Sequence, residues 1–294
     1  MIEASTVPEF AATTLAPRQR SMILRRLVAH RSFQIGFFLV GVLAIAAVLG
    51  PMLTNTKPSA MHISHRFSPP QAKFLFGTDM FGRDIFTRVL YGARVSLWVG
   101  FAVAAIAGVF GTTLGVLAAQ FRSLEGAIMR LMDALMSFPA ILLALGITAA
   151  LGPSMNSVII ALSVAYVPPG VRIVRASALV VRELDYVQAA LIAGARAPRI
   201  MLRHILPNSI GPLLVHLSFV FAYAILAEAA LSFLGVGVQP PTPSWGNIIA
   251  EGRDYALQAW WIVLFPGIGI SLATIGLNLL GDGLRDVLDP KLKG

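Results

Sequence analysis

Three stretches of the chain, Ser32 to Thr56, Val95 to Phe121 and Ala134 to Val171, contain no charged residue. Each exceeds the roughly 20 apolar residues that a helix needs to cross a bilayer. Charge is scarce elsewhere as well, at 13% of residues against 56% hydrophobic, where a soluble domain carries about 25% charge. A soluble globular fold is therefore excluded, and the expected class is all-α, a polytopic membrane protein. A transmembrane β-barrel does not fit the long uninterrupted runs. With 18 Pro and 26 Gly spread through apolar segments, the helices are expected to be kinked and closely packed. Cysteine is absent, which removes disulfides, thiolate nucleophiles and cysteine-ligated metals.

Residues 1–32 form a polar N-terminal segment with Arg18, Arg20, Arg25, Arg26 and Arg31 ahead of the first apolar stretch. The apolar core exceeds the about 7–15 residues of a cleaved signal, so an uncleaved signal-anchor is expected. Residues 33–294 read as one transmembrane domain. The third uncharged stretch is too long for a single crossing, and Gly152, Pro153 and Asn156 break it into two spans joined by a tight outer turn. A fifth span is expected over about Ser209 to Val236. A sixth, Trp260 to Gly281, opens with Trp260 and Trp261 at a membrane interface.

Six spans place both termini in the cytoplasm, with a long outer loop at 54–94 and a long cytoplasmic loop at 172–208. The cytoplasmic segments then hold 16 of the 23 Lys and Arg, as the positive-inside bias requires. The net charge of +9 thus follows topology. No basic patch interleaved with aromatics accompanies it, which argues against nucleic acid as a partner.

Three segments stand out on this scaffold. In the outer stretch 76–97, Thr78 or Asp79 can cap a helix, Asp84 and Arg88 are spaced for an i,i+4 pair, and Ile85 and Val89 share a face. A short amphipathic helix on the membrane surface is expected there, with substrate gating as the other reading. In the cytoplasmic stretch 172–207, Leu184, Val187, Leu191 and Ala195 follow helical spacing, Gly194 permits a sharp break, and Pro198 suits the first turn of a second short helix. Such a basic helix–turn–helix could rest on anionic lipid or fill a groove on a partner. The third feature is a pair of acids in or beside the spans. Asp133 lies three residues after Arg130, which suggests an interfacial ion pair, whereas Glu228 is deeper and either packs helices through hydrogen bonds or serves the transport path.

Several chemistries are missing. A Walker A loop needs a Lys directly after Gly, and Lys57, Lys73, Lys291 and Lys293 follow Thr, Ala, Pro and Leu. The five histidines form no HExxH pair and no GxSxG elbow occurs. Neither a metal centre nor a catalytic group is expected, and any ATP chemistry must come from another subunit.

The cytoplasmic segment YVQAALIAGARAPRIMLRHILPN resembles the EAA loop of ABC importer permeases. Its matching positions are Gln188, Ala189, Ala190, Gly194, Leu206 and Pro207, with Gln188 departing from the usual Glu. FGTDMFGRDIFTR, AEAALSFLGVGVQPPTPSWGNII and NLLGDGLRDVLDP sharpen the likeness. Together they resemble the second permease subunit of dipeptide, oligopeptide and nickel importers. The resemblance implies a type I transmembrane domain in the bacterial inner membrane, paired with a homologous permease. It also implies two cytoplasmic ATPase domains that carry ATP and Mg, and an extracytoplasmic substrate-binding protein. The EAA-like loop would then be the coupling helix, with Gln188, Ala189, Ala190, Gly194, Arg199, His204 and Pro207 as its coupling residues. Gly77, Thr78, Asp79, Gly82, Arg83 and Asp84 form the outer-segment motif, and Glu228 and Asp133 are the candidate pathway or structural acids. Pro207 is expected to separate the cytoplasmic helix from the next span.

Short peptides are favoured over nickel as cargo, because nickel suits soft or imidazole donors while cysteine is absent and His62 and His65 lie in the outer loop, and small residues, Gly and Met can line a tolerant passage. An ion-coupled secondary transporter is the remaining alternative, with Glu228 alone placed for it.

Overall fold

The computed structural model describes residues 25–54 and 56–288. Most of the expected N-terminal segment, including Arg18 and Arg20, and the last residues of the terminal motif, Asp289 and Pro290, lie outside them. The described residues are helical throughout apart from loops and isolated bridges. Helix α1 spans Arg31–Leu53, α2 Ile85–Gln120, α3 Arg122–Met136, α4 Ala140–Leu151 and α5 Met155–Arg182. They are followed by α6 Asp185–Ile192, α7 Ala197–Ile200, α8 Leu206–Phe233, α9 Trp245–Gly252 and α10 Trp261–Leu288. Among the described residues, five helical runs are long and apolar enough to cross a membrane, and a sixth results if α3 and α4, bent by 91°, count as one broken span.

Packing is centred on α2, which lies against α5 on one side and α8 on another. Lipid tails are as apolar as the side chains, so close contact between small residues supplies much of the association energy. Gly111 of α2 sits so near Gly170 of α5 that a Cβ on it would lie 3.3 Å from the Gly170 carbonyl carbon. Val99, Val103, Ala107, Ala161 and Val171 are fully buried around this seam. Helices α1 and α10 form a second contact, where a Cβ on Gly36 would lie 2.6 Å from the Gly276 carbonyl oxygen. Both seams depend on the missing side chain.

Four expectations are corrected. The stretch 76–97 is not a separate surface helix: α2 begins at Ile85 and runs unbroken through the second span, with Ile85 and Val89 in the core. Its N-cap is Asp84, whose carboxylate accepts from the Thr87 backbone N–H at 3.0 Å and the Thr87 hydroxyl at 2.6 Å, and neither Thr78 nor Asp79 caps it.

The first half of Ala134 to Val171 is the 12-residue α4, about 18 Å at 1.5 Å per residue, short of the roughly 30 Å hydrocarbon core. Pro139 causes the elbow, because the residue before a proline is driven out of the α region. The break at Gly152, with φ +86°, falls where the sequence placed it.

Third, Pro207 does not separate helix from span. The helical run continues from Ala197 to Phe233 through a π-type turn at Met201–Ile205, a local widening that accommodates a residue without an N–H. Fourth, Asp133 pairs with Arg172 of α5 at 2.5 Å, while the Arg130 Nε donates to the Gly126 carbonyl at 2.9 Å. The neighbouring Glu125 pairs with Arg175, so both acids of α3 tie it to α5.

Candidate functional site

The loop at 172–208 is a built structure. Gln188 Nε2 donates to the Arg182 carbonyl at 2.8 Å, and Arg182 reaches the Ala119 carbonyl at 2.6 Å. Each bond satisfies an orphan carbonyl at a helix end, of α5 and α2 respectively. Gln188 thus holds the loop to the spans, and an amide serves this better than the carboxylate usual at that position, which cannot donate. Helix α6 ends at Gly194, whose φ of +83° belongs to the left-handed region. The Ala195 N–H bonds to the Ala190 carbonyl at 3.0 Å and the Gly194 N–H to the Leu191 carbonyl at 2.9 Å. This is a Schellman termination. Pro198 follows in the first turn of α7, as expected.

Of the row Leu184, Val187, Leu191 and Ala195, Val187 alone is fully buried. It packs with Ile200 and Ile205 against Val174, Ala178 and Val181 of α5. Leu184, Leu191 and Ile192 are exposed, the last at 88%. Ala189, Gly194, Arg199 and Pro207 are exposed as well. His204 is half-buried with its ring 5.7 Å from that of Tyr186. The loop therefore has an inner face fixed to the bundle and an outer face of apolar and small residues with Arg199 beside it, the composition of a docking face.

At the opposite end, the outer motif folds as a charge clasp. The Asp79 carboxylate, 2% exposed, accepts from the backbone N–H of Phe81 at 2.8 Å and of Arg83 at 2.9 Å. Its other oxygen takes Arg83 Nε at 2.6 Å and Arg88 at 2.7 Å. The same two guanidinium groups contact Glu251 of α9 at 2.5 and 2.8 Å. Two acids thus balance two buried cations, which makes their burial tolerable. Arg88 pairs with Asp79 and Glu251 rather than with Asp84. Gly77 and Gly82 have φ of +73° and +71°, and a Cβ at Gly82 would lie 1.9 Å from the His62 carbonyl oxygen. Thr78 accepts from the Ser68 N–H at 2.9 Å, and its own carbonyl accepts from Trp261 Nε1 at 3.0 Å. Sequence reasoning missed Glu251. Its proximity to Arg83 arises across more than 160 residues, and a single Glu in a short loop carries no local signal.

Glu228 is completely buried. It accepts from Ser96 of α2 at 3.0 Å and from Ser232 one turn along α8 at 2.7 Å. Ser96 in turn accepts from the Trp245 N–H at 3.3 Å, and Ser232 from the Val238 N–H at 3.1 Å. Ser244 and Asn247 close a reciprocal capping box at the start of α9. The stretch 227–249 thus folds back on itself through one carboxylate, the geometry of a packing residue. Glu228→Gln is expected to keep most assembly, since the amide still accepts from one hydroxyl. Glu228→Leu should lower stability by about 2–6 kcal/mol, because two buried hydroxyls lose their acceptor at about 1–3 kcal/mol each. Melting of the purified complex checks this, and unchanged melting for Leu would remove the network from the stability argument.

The family described as "Binding-protein-dependent transport system inner membrane component" matches residues 111–294, and "N-terminal TM domain of oligopeptide transport permease C" matches residues 19–70. A Brucella abortus protein named for a peptide transport system permease is 58% identical over 293 residues, covering 100% of this chain and 99% of that protein. The dipeptide transport system permease protein of Alkalihalophilus pseudofirmus is 42% identical, covering 98% and 95%. The di/tripeptide transport system permease protein of Pseudomonas aeruginosa is 43% identical, covering 90% of each. Among solved structures, the MetNI methionine ABC transporter in inward-facing conformations aligns with a TM-score of 0.54 at 18% identity, covering 69% of this chain and 97% of that one. At that identity the likeness concerns the fold.

Proposed function

Because the chain belongs to the family of binding-protein-dependent transport system inner membrane components, we propose that it is one permease subunit of an ATP-driven importer of short peptides. Its end-to-end likeness to permeases named for dipeptide and di/tripeptide transport is the observation that carries the cargo. A homologous permease completes the translocation path, and an extracytoplasmic binding protein delivers the peptide. Two cytoplasmic ATPase domains bind ATP and Mg and hydrolyse the nucleotide. The exposed face of α6 and the Gly194 turn is the surface on which one ATPase domain docks, and the fixed inner face carries the movement into α5 and α8. The membrane is the bacterial inner membrane, with the coupling loop and both termini in the cytoplasm.

The deciding experiment is ATP hydrolysis by the reconstituted complex. Stimulation by a dipeptide-loaded binding protein is the expected result. A response to a nickel-loaded binding protein with none to peptides would overturn the cargo. Orientation is testable because the chain lacks cysteine. A single Cys at fully exposed Leu257 should react with an impermeant thiol reagent in intact cells. One at exposed Arg196 should react after permeabilisation only. The reverse pattern would invert the topology.

A further inference from the structure

A cleft of about 300 Å³ opens on the outer side between the end of α8, the loop that follows it and the end of α9. Its walls include Phe233, Val238, Gln239, Pro240, Glu251 and Arg253. Glu251 spends one carboxylate oxygen, Oε2, on both arginine contacts. Its Oε1 has no hydrogen-bond partner among the described residues, and it is not among their sealed, unpartnered atoms. Two guanidinium groups therefore fix the carboxylate while one oxygen stays available to an incoming donor, which is how a preorganised acceptor is made.

The rest of the wall completes a pattern. Gln239 Nε2 is tied to the Gly235 and Gly237 carbonyls at 3.1 and 3.2 Å, which leaves the carbonyl oxygen of its amide as a second acceptor. Phe233, Val238 and Pro240 supply apolar surface. Arg253 lies over the Phe233 ring at 5.4 Å and is itself exposed, paired loosely with Asp254 at 3.3 Å. A fixed carboxylate, a neutral acceptor, an apolar floor and an exposed cation at the rim match a small zwitterion with an apolar side chain. A lone carboxylate is too few donors for a divalent metal, which takes several oxygen or nitrogen ligands.

We propose that this cleft is a transfer site for the protonated amino terminus of a short peptide, with the ammonium group donating to Glu251 Oε1 and the first side chain resting on Phe233 and Val238. The inference rests on the peptide-import function proposed above and adds to it a recognition group within the permease. One charge-assisted bond in a wet cleft gives weak affinity, on the order of 1 mM, which suits a site that must pass its cargo onward.

The test uses the permease pair assembled with its ATPase domains in nanodiscs, without binding protein, and follows Ala-Phe and N-acetyl-Ala-Phe by saturation-transfer NMR. Ala-Phe should bind, and acetylation should weaken binding by about 10-fold or more. Glu251→Gln should produce a similar loss, because its amide oxygen can still accept from the arginines but no longer supplies the charge that draws an ammonium group; since Asp79 alone then balances both arginines, binding is read on material whose size-exclusion profile matches the parent complex. Ala250→Trp, which fills the cleft without touching the ion pairs, should abolish binding. Equal binding of the acetylated peptide, no binding of either, or unchanged binding in Ala250→Trp would overturn the proposal. If either variant fails to assemble, the acetylation comparison decides.

The same preparation is then given peptide-loaded binding protein. Import without amino-terminus-dependent binding overturns the cleft alone, whereas absence of import overturns the function on which it rests. Loss of binding-protein cross-linking in Ala250→Trp, with Ala-Phe binding unchanged, would instead assign the cleft to protein docking.

Discussion

Arg88→Leu is expected to prevent recovery of a stable complex. The Arg88 guanidinium, 2% exposed, holds Asp79 and Glu251 through a single nitrogen at 2.7 and 2.8 Å. Its removal leaves buried Asp79 and half-buried Glu251 facing the one remaining cation, Arg83. Breaking a buried ion pair in this way costs about 3–5 kcal/mol, a large fraction of the stability of most domains. The damage should spread, because the clasp joins the start of α2 to α9, and α9 is linked through Ser96 to Glu228. Arg88→Lys should fall between the two, since an ammonium group can replace one shared nitrogen but lacks the planar fork. Size-exclusion profiles and melting of detergent-extracted complex give the readout. A wild-type profile for Arg88→Leu would show that the clasp contributes little to folding.

Gly194→Trp should leave the permease inserted and assembled while import falls by more than about 10-fold. Nothing lies within 4 Å of a Cβ placed there, so the span core is untouched. A side chain at φ +83° costs about 1–2 kcal/mol and disturbs the Schellman turn that aims α7. The indole would also stand on the exposed face assigned to the ATPase. Gly194→Ala separates these effects, since it carries the backbone strain with almost no bulk. If Ala is nearly as defective as Trp, strain in the turn is the cause, and if Ala imports well, obstruction is. Normal uptake by the Trp variant at unchanged expression would remove Gly194 from the docking surface.

Both positions belong to motifs visible in the sequence, yet the reason each residue matters differs from what spacing suggested. Asp84 and Arg88 are spaced as a helical pair, but Asp84 spends its carboxylate on the helix cap and Arg88 turns to Asp79 and Glu251. Asp133 has Arg130 one turn earlier, and pairs with Arg172 from another helix. In each case a local partner lost to one that arrives through packing, because a partner held in place by the fold costs less side-chain entropy to engage than one on a free helix surface.

What the sequence by itself determined about this protein is whatever depends on a short window. The membrane class and the approximate spans follow from charge-free runs, the turns at Gly152 and Gly194 from residues that tolerate positive φ, and the family from motifs that are contiguous. The tertiary structure alone decided what depends on distant segments meeting. The second span begins at Ile85 because the outer motif buries its first turn. Pro139 permits the bend after Ala134, but where α3 lies beyond it is set by the pairs that Glu125 and Asp133 make with α5. Glu228 is a packing hub because Ser96, more than 130 residues away, supplies its hydroxyl. Hydropathy is additive along the chain, whereas the partners of a buried charge are fixed by which helices pack together, and that is a property of the whole bundle.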